Sequence, residues 1–310
     1  MEARKKYRKR WGKKEPRLKE DGSVKPLLFI EQDLELCKLL APQIALREPW
    51  SYQYLPTKYF SPLLGRGVRG VPRRASALAS DPYSYLQLAP GQAEFYFVEQ
   101  IYRLGPMGKD ELKGAGYKFP KGYHYRAIPH ELMCIVCAAS FEIGAKKHGL
   151  SIKRHSIKID FYPDWSPFKL GKTTVLFECD RDTASLESSL ERSSAIEGKL
   201  ENYLSVIKDG FDGMVIFFVT TNYRQSEIIE LIKKVIDRRR HPHAYAAQIG
   251  VMCIEYDQFT KRPLPTDWAV TKSYERAGHD PFSFIGESHG SEARTHKGTD
   301  RSEGSNRLGA

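Results

Sequence analysis

Cysteine is scarce and scattered in this chain. Cys37, Cys134, Cys137, Cys179 and Cys253 are five in 310 residues, an odd number in apolar contexts. That pattern favours free buried thiols in a reducing compartment over a disulfide framework. Cys134 and Cys137 form a CxxC within ELMCIVCAASF. No second Cys/His pair stands at zinc-ligand spacing, so neither a metal nor a redox role is expected of that pair. Also missing is any apolar run of the roughly 18–20 residues that would span a bilayer. The N-terminus is basic without an apolar core behind it, which is not the pattern of a secretory leader. The expectation is a soluble, cytoplasmic protein with no membrane partner.

What the chain has is positive charge. Lys and Arg number 49 against 38 Asp and Glu, for a formal net charge of +11. Such an excess suits a polyanion, because each neutralised phosphate releases counterions and adds salt-dependent affinity. With 41% hydrophobic and 12% aromatic residues the chain can also bury a core. Residues 1–28 are expected to form a disordered basic arm, since residues 1–25 hold eleven Lys/Arg and four Asp/Glu with little to bury. Residues 271–310 are rich in Gly, Ser, His, Arg and acids without periodicity, and are expected to be a disordered tail.

Between the tails the pattern changes near residue 125. Over 29–122, a helix is expected at Glu31–Ala41, stopped by Pro42, then a short element at Ser51–Tyr59 and a third helix after Pro72 in RRASALAS. The runs YSYLQL and FYFVEQIYRL are β-like. Three helices followed by a two-stranded ribbon is the order of a winged helix-turn-helix. Arg73 and Arg74 then stand at the N-terminal end of the helix that would enter the major groove, with Arg66 and Arg69 just before it in GRGVRG. These four are the candidate DNA-contacting residues; a merely solvated basic face is the alternative reading.

Over 123–270 the periodicities give the order α-β-β-β-α-β-α-β, an α/β (α+β) domain with a mixed sheet flanked by helices. HELMCIVCAASFEIGAKKHG is a helix, SIKRHSIKI alternates like a strand and runs into DFYPD, TTVLFECD is the third strand, and Ser185–Ile207 is a helix. GMVIFFVT is a strand buried on both faces, Glu227–Arg240 a helix and IGVMCIEY a last strand. The stretch PDWSPFKLGKTTVLFECD carries Asp164, Glu178 and Asp180. With a hairpin turn near Lys169–Gly171, Asp164 lies almost opposite Leu176. Parity puts Glu178 and Asp180 on one face, and Asp164 can share it. Three converging acids repel one another unless a cation or a proton intervenes, and hard oxygen ligands of this kind suit Mg²⁺ or Mn²⁺. Lys199 falls within the apolar stripe Ile196, Leu200, Tyr203, Leu204 and Ile207. A lysine there needs an acidic partner, and the carboxylate cluster is a candidate; a structural ion pair or a stem snorkelling to water is the alternative.

The element order, Pro163-Asp164, and Glu178-x-Asp180 after 13 intervening residues resemble the core of PD-(D/E)XK nucleases. In that family the two leading acids bind the metal and the lysine orients water or stabilises the transition state. Here Asp180 stands where the lysine is expected, and Lys199 on the next helix would substitute, as migrated lysines do in some members. A closer resemblance, over about residues 30–260, is to the bacterial replication-relaxation family. It rests on IYRLGPMGKDEL, His130 opening a helix, Pro163-Asp164, LFECDRDTASL and KLENYL. That family is associated with replication and DNA relaxation of plasmids and other mobile elements. The resemblance implies double-stranded DNA as partner, with replication or mobilisation proteins, and a site of Asp164, Glu178, Asp180 and Lys199. Asp164, Glu178 and Asp180 would hold the metal. Tyr203 and His130 join the candidate catalytic set, although a packed aromatic and a capping or packed histidine are the alternative readings.

Overall fold

The computed structural model describes residues 27–41, 49–65, 70–80, 83–89, 100–119, 128–181, 196–239, 242–254 and 265–285. The basic arm up to residue 26, Arg66, Arg69, the 182–195 stretch that starts the expected long helix, and residues 286–310 lie outside them.

The first half runs α1 (Glu31–Leu39), β1 (Leu55–Pro56), α2 (Thr57–Leu63), α3 (Val71–Leu78), β2 (Leu86–Leu88), β3 (Ile101–Leu104) and α4 (Pro106–Gly114). Its three strands pair antiparallel in the order β1-β3-β2. The helix α4 was not legible as one, because GPMGKDELKG carries two glycines besides its leading one. Pro106 nevertheless starts it with φ preset for a first turn. Gly108 is required by closeness, since a Cβ there would come within 2.3 Å of the Tyr85 carbonyl.

The second half runs α5 (Ile128–Lys147), β4 (Ile152–Arg154), β5 (Phe168–Leu170), β6 (Thr173–Asp180), α6 (Ile196–Lys208), β7 (Gly213–Val219), α7 (Asn222–Ile236), α8 (Pro242–Ala246), β8 (Ile249–Cys253), α9 (Trp268–Thr271), β9 (Tyr274–Arg276) and β10 (His279–Phe282). All seven strands form one sheet, ordered β10-β9-β8-β7-β6-β5-β4. The meander β4-β5-β6 is antiparallel, the centre β6-β7-β8 is parallel, and β9 and β10 return antiparallel. The described residues are thus mixed α and β with two sheets. No helix among the described residues is long and apolar enough to cross a membrane.

The strand β6 is covered on both faces, which explains its unbroken apolar run. Val175, Phe177 and Cys179 join α5 and the first half in one core. Leu176 lies on the other face with α6 and α7, through Leu200, Tyr203, Leu204, Ile228 and Ile232. The first core is continuous across the two halves. Trp50 meets Trp165 and Phe168 edge-on, at ring separations of 5.7 and 5.0 Å. The Tyr52 hydroxyl donates to the buried Glu142 of α5 at 2.7 Å, and Lys146 donates to Glu142 at 2.7 Å and to the Leu63 carbonyl at 2.8 Å.

Several expectations are corrected. The element expected at Ser51–Tyr59 is the strand β1 followed by a helix that begins only at Thr57, and the strand expected over SIKRHSIKI ends at Arg154. The expected disordered tail does not begin at residue 271: β9 and β10 belong to the sheet. Tyr274 is fully buried, donates its hydroxyl to the Ala269 carbonyl at 2.5 Å, and stacks on Phe282 at 5.0 Å. The alternation of these short, Gly-interrupted strands is too brief to read. The hairpin turn also falls later than expected. Leu170 pairs with Thr173, so the turn is Gly171-Lys172, with Gly171 at φ +60°. We expect Tyr274→Ala to lower unfolding free energy by about 3–5 kcal/mol. Denaturant unfolding measures this, and a change below about 1 kcal/mol would show the hairpin to be peripheral.

Candidate functional site

Moving the turn moves Asp164. Phe168 pairs with Val175, and continuing that register brings Asp164 level with Cys179 rather than Leu176. The Cys179 N–H donates to Asp164 Oδ2 at 2.8 Å. The bond satisfies a backbone donor that β5 is too short to reach. Asp164 therefore sits on the edge of β6 and looks to both faces of the sheet. Its Oδ2 meets His130 Nε2 of α5 at 3.1 Å, and its Oδ1 lies 3.6 Å from the Lys199 ammonium of α6. His130 Nε2 is also 3.1 Å from the Cys179 carbonyl, and Cys134 Sγ lies 3.8 Å from His130 Nδ1.

Glu178 faces α6 and is 2% exposed. Lys199 Nζ bonds its Oε2, and the Tyr203 hydroxyl donates to its Oε1 at 2.5 Å. Lys199 and Tyr203 are four residues apart on α6, one turn along one face, so both reach the same carboxylate. Phe161 packs edge-on against the Tyr203 ring at 4.8 Å, which fixes the donor. Tyr203 is thus both a packed aromatic and a hydrogen-bond donor at the site.

Asp180 shares Glu178's face, as parity requires, but not its partners. Two residues along a strand is about 7 Å, which carries Asp180 past α6 to the start of α7. There Arg224 Nε donates to Asp180 Oδ2 at 2.5 Å, and Arg224 also reaches Glu227 at 3.2 Å. Both members of the Asp180–Arg224 pair are buried. So Asp164, Glu178, Lys199, Tyr203 and His130 come together, and Asp180 does not join them. Arg224 lies outside the helix expected from Glu227, because α7 begins at Asn222. Thr221 caps the helix by accepting from the Arg224 N–H at 3.1 Å, and that residue type at that place was the available signal.

The proton affinities follow from these contacts. His130 is pushed up to about 10, chiefly by its bond to Asp164 and then by Cys134. Burial raises Asp164, but His130, Lys199 and the Cys179 N–H outweigh it and bring the carboxyl down to about 2. Glu178 is pushed up to about 7 by burial and by the charge of Asp164, against the pull of Lys199 and Tyr203. Burial lowers Lys199, yet the two carboxylates hold it above its ordinary value. Asp164 Oδ1 and Glu178 Oε2 face one ammonium, so the two hard oxygens bracket a cation position. These two residues fit Mg²⁺ or Mn²⁺, which needs only one or two carboxylates beside water and substrate phosphate.

In the first half, Arg74 turns inward. Its Nε donates to the fully buried Asp33 at 2.7 Å and a terminal nitrogen reaches the Leu28 carbonyl at 2.5 Å. Arg73 is exposed on the first turn of α3. Comparison with protein-family models, with curated proteins and with solved structures finds no match.

The His130 shift has a sign that can be measured. Protonated His130 stabilises the fold fully below its ordinary pKa of 6.5, and that contribution is lost as pH rises toward about 10. In chelator-treated buffer, the wild-type denaturation midpoint is expected to fall across that window and His130→Gln to flatten the fall. An identical slope in the variant would mean that the ion pair with Asp164 is not its source.

Proposed function

We propose that this chain binds DNA and processes it at a PD-(D/E)XK-like centre, acting in replication or DNA relaxation of plasmids or other mobile elements, as the resemblance to the replication-relaxation family implies. The observation that carries the reading is the meeting of Asp164, Glu178 and Lys199 at the end of β6, within the order α5-β4-β5-β6-α6-β7. The antiparallel meander followed by a parallel fourth strand fits a PD-(D/E)XK-like core. Lys199, supplied by the helix, takes the part of the lysine that Asp180 replaces.

In this mechanism Asp164 and Glu178 would hold Mg²⁺ or Mn²⁺, which polarises a phosphodiester and lowers the pKa of an attacking water. Tyr203 keeps Glu178 oriented, and the Cys179 N–H keeps Asp164 at the strand edge. Lys199, freed from the carboxylates, becomes a point charge for the non-bridging phosphate oxygens in the transition state. His130, Nε2 against Asp164, orients that carboxylate from the opposite face. Asp180 and Arg224 neutralise each other beside the site and stiffen the junction of β6 with α7.

For the first half, the order α1-β1-α2-α3-β2-β3 and the β1-β3-β2 sheet support a winged helix-turn-helix, with α3 as the helix offered to the major groove. Arg73, exposed on its first turn, is the phosphate or base contact; Arg74 is the strut that neutralises Asp33. A second reading, a DNA-binding initiator or accessory factor with a degenerate nuclease fold, is favoured by Asp180 in the lysine position.

Nicking of supercoiled plasmid with Mg²⁺ separates the two. The enzyme reading expects Glu178→Ala to lose at least about 10²-fold in rate, as removing a group that holds the metal should. Equal activity in both proteins, or none in either, would refute it and leave the accessory-factor reading. For binding, Arg73→Ala is expected to weaken duplex affinity and to reduce the slope of log K against log salt by about 1. Arg74→Ala is expected to act first on stability, through Asp33. A duplex affinity insensitive to Arg73 would remove α3 as the contact.

A further inference from the structure

On the other face of β6 from Lys199 lies a different donor set. His130 and Cys134 are four apart on α5, so they share one side of the helix one turn from each other. Asp164 faces them from the strand edge. One ligand atom from each of the three can be chosen such that all lie within 4.8 Å of one another. We propose that His130, Cys134 and Asp164 form a second metal site, selective for a borderline ion of the Zn²⁺ class.

The chemistry of the donors sets that class. A thiolate and an imidazole beside a single carboxylate favour Zn²⁺ over Mg²⁺, which prefers an all-oxygen shell. A tetrahedral ion with bonds of about 2.0–2.3 Å holds its ligand atoms roughly 3.3–3.8 Å apart. The observed separations of 3.1 Å, from His130 Nε2 to Asp164 Oδ2, and 3.8 Å, from Cys134 Sγ to His130 Nδ1, are close to that range. The two contacts use different ring nitrogens, so loading turns the imidazole until one nitrogen faces both partners. The His130 side chain is 36% exposed, so its ring and a water as fourth ligand can be reached from solvent. Asp164 is already fixed by the Cys179 N–H at 2.8 Å, the kind of outer support that orients a ligating carboxylate.

Protonated His130 stands in for the ion in the metal-free chain, as the positive partner of Asp164 Oδ2. On loading, the Cys134 thiol proton and the extra imidazolium proton leave to solvent, and two metal–ligand bonds replace them. Asp164 then serves two cation positions through its two oxygens, a borderline one at Oδ2 and the hard one at Oδ1. The second site stands on its own donors and does not depend on nuclease activity.

The test uses the full chain, stripped with chelator under reducing conditions and titrated with Co²⁺. One equivalent is expected to give a thiolate-to-cobalt charge-transfer band and tetrahedral d–d absorption that one equivalent of Zn²⁺ removes, and any further Co²⁺, taken by the hard oxygen position, to add no thiolate band. Cys134→Ser should abolish the charge-transfer band and weaken binding at least about 10-fold, while Cys137→Ser should keep both. His130→Gln should weaken binding with the thiolate band reduced. Circular dichroism of each variant separates lost ligation from lost folding. No band in the wild-type protein at saturating Co²⁺ would overturn the proposal, and so would an unchanged band in folded Cys134→Ser. Plasmid nicking is not the readout, so failure here leaves the proposed function where it stands.

Discussion

Burying an ionisable carboxylate in an interior strand of a sheet covered on both faces is unfavourable unless donors meet it from above. Glu178 imposes that constraint, and much of the second half answers to it. Its two oxygens fix the rotational setting of α6, because only one face of that helix can present Lys199 and Tyr203 together. Lys199 in turn reaches past Glu178 to Asp164, which holds the irregular segment before β5 against the strand edge. The edge is left open to Asp164 because β5 is only three residues long. Strand length, helix rotation and loop path therefore depend on one another through a single carboxylate.

Neighbouring charges in the structure obey the same logic by different means. Asp180 is satisfied by Arg224, Asp33 by Arg74, and Glu142 by Tyr52 with Lys146. A buried pair of this kind adds little net stability over an apolar pair, but losing one partner is costly. Their common effect is to specify which elements meet. Glu142 ties the first half to α5, Asp33 ties α1 to α3, and Asp180 ties the sheet to α7.

Much of this was readable from residues alone, for physical reasons. The face shared by Glu178 and Asp180 follows from strand parity, and the need of Lys199 for an acidic partner follows from its place in an apolar stripe. The strands β6, β7 and β8 and the long helix α5 announce themselves as apolar runs and lie where those runs are, whereas the expected strand SIKRHSIKI is one only over Ile152–Arg154. Register was harder. The true turn at Gly171-Lys172 differs from the expected one by a shift too small for hydropathy to resolve, yet it changes which backbone group Asp164 meets. The partner of Asp180 depended on where α7 begins, and the hairpin β9-β10 on strands too short to show alternation. The helix face that joins His130 to Cys134 was visible as spacing, but Asp164 joins it only through the fold.

The shared core of the two halves has a mechanical consequence. Trp50, Tyr52 and the Leu63 carbonyl are packed or bonded directly onto α5 and the sheet, so the offset between α3 and the end of β6 is set by interlocked side chains and not by a tether. On the proposed function, a duplex held at α3 would meet the carboxylates at a fixed spacing along its axis, as against the jaw of a caliper. Any chemistry at β6 would then fall a constant number of base pairs from the gripped sequence.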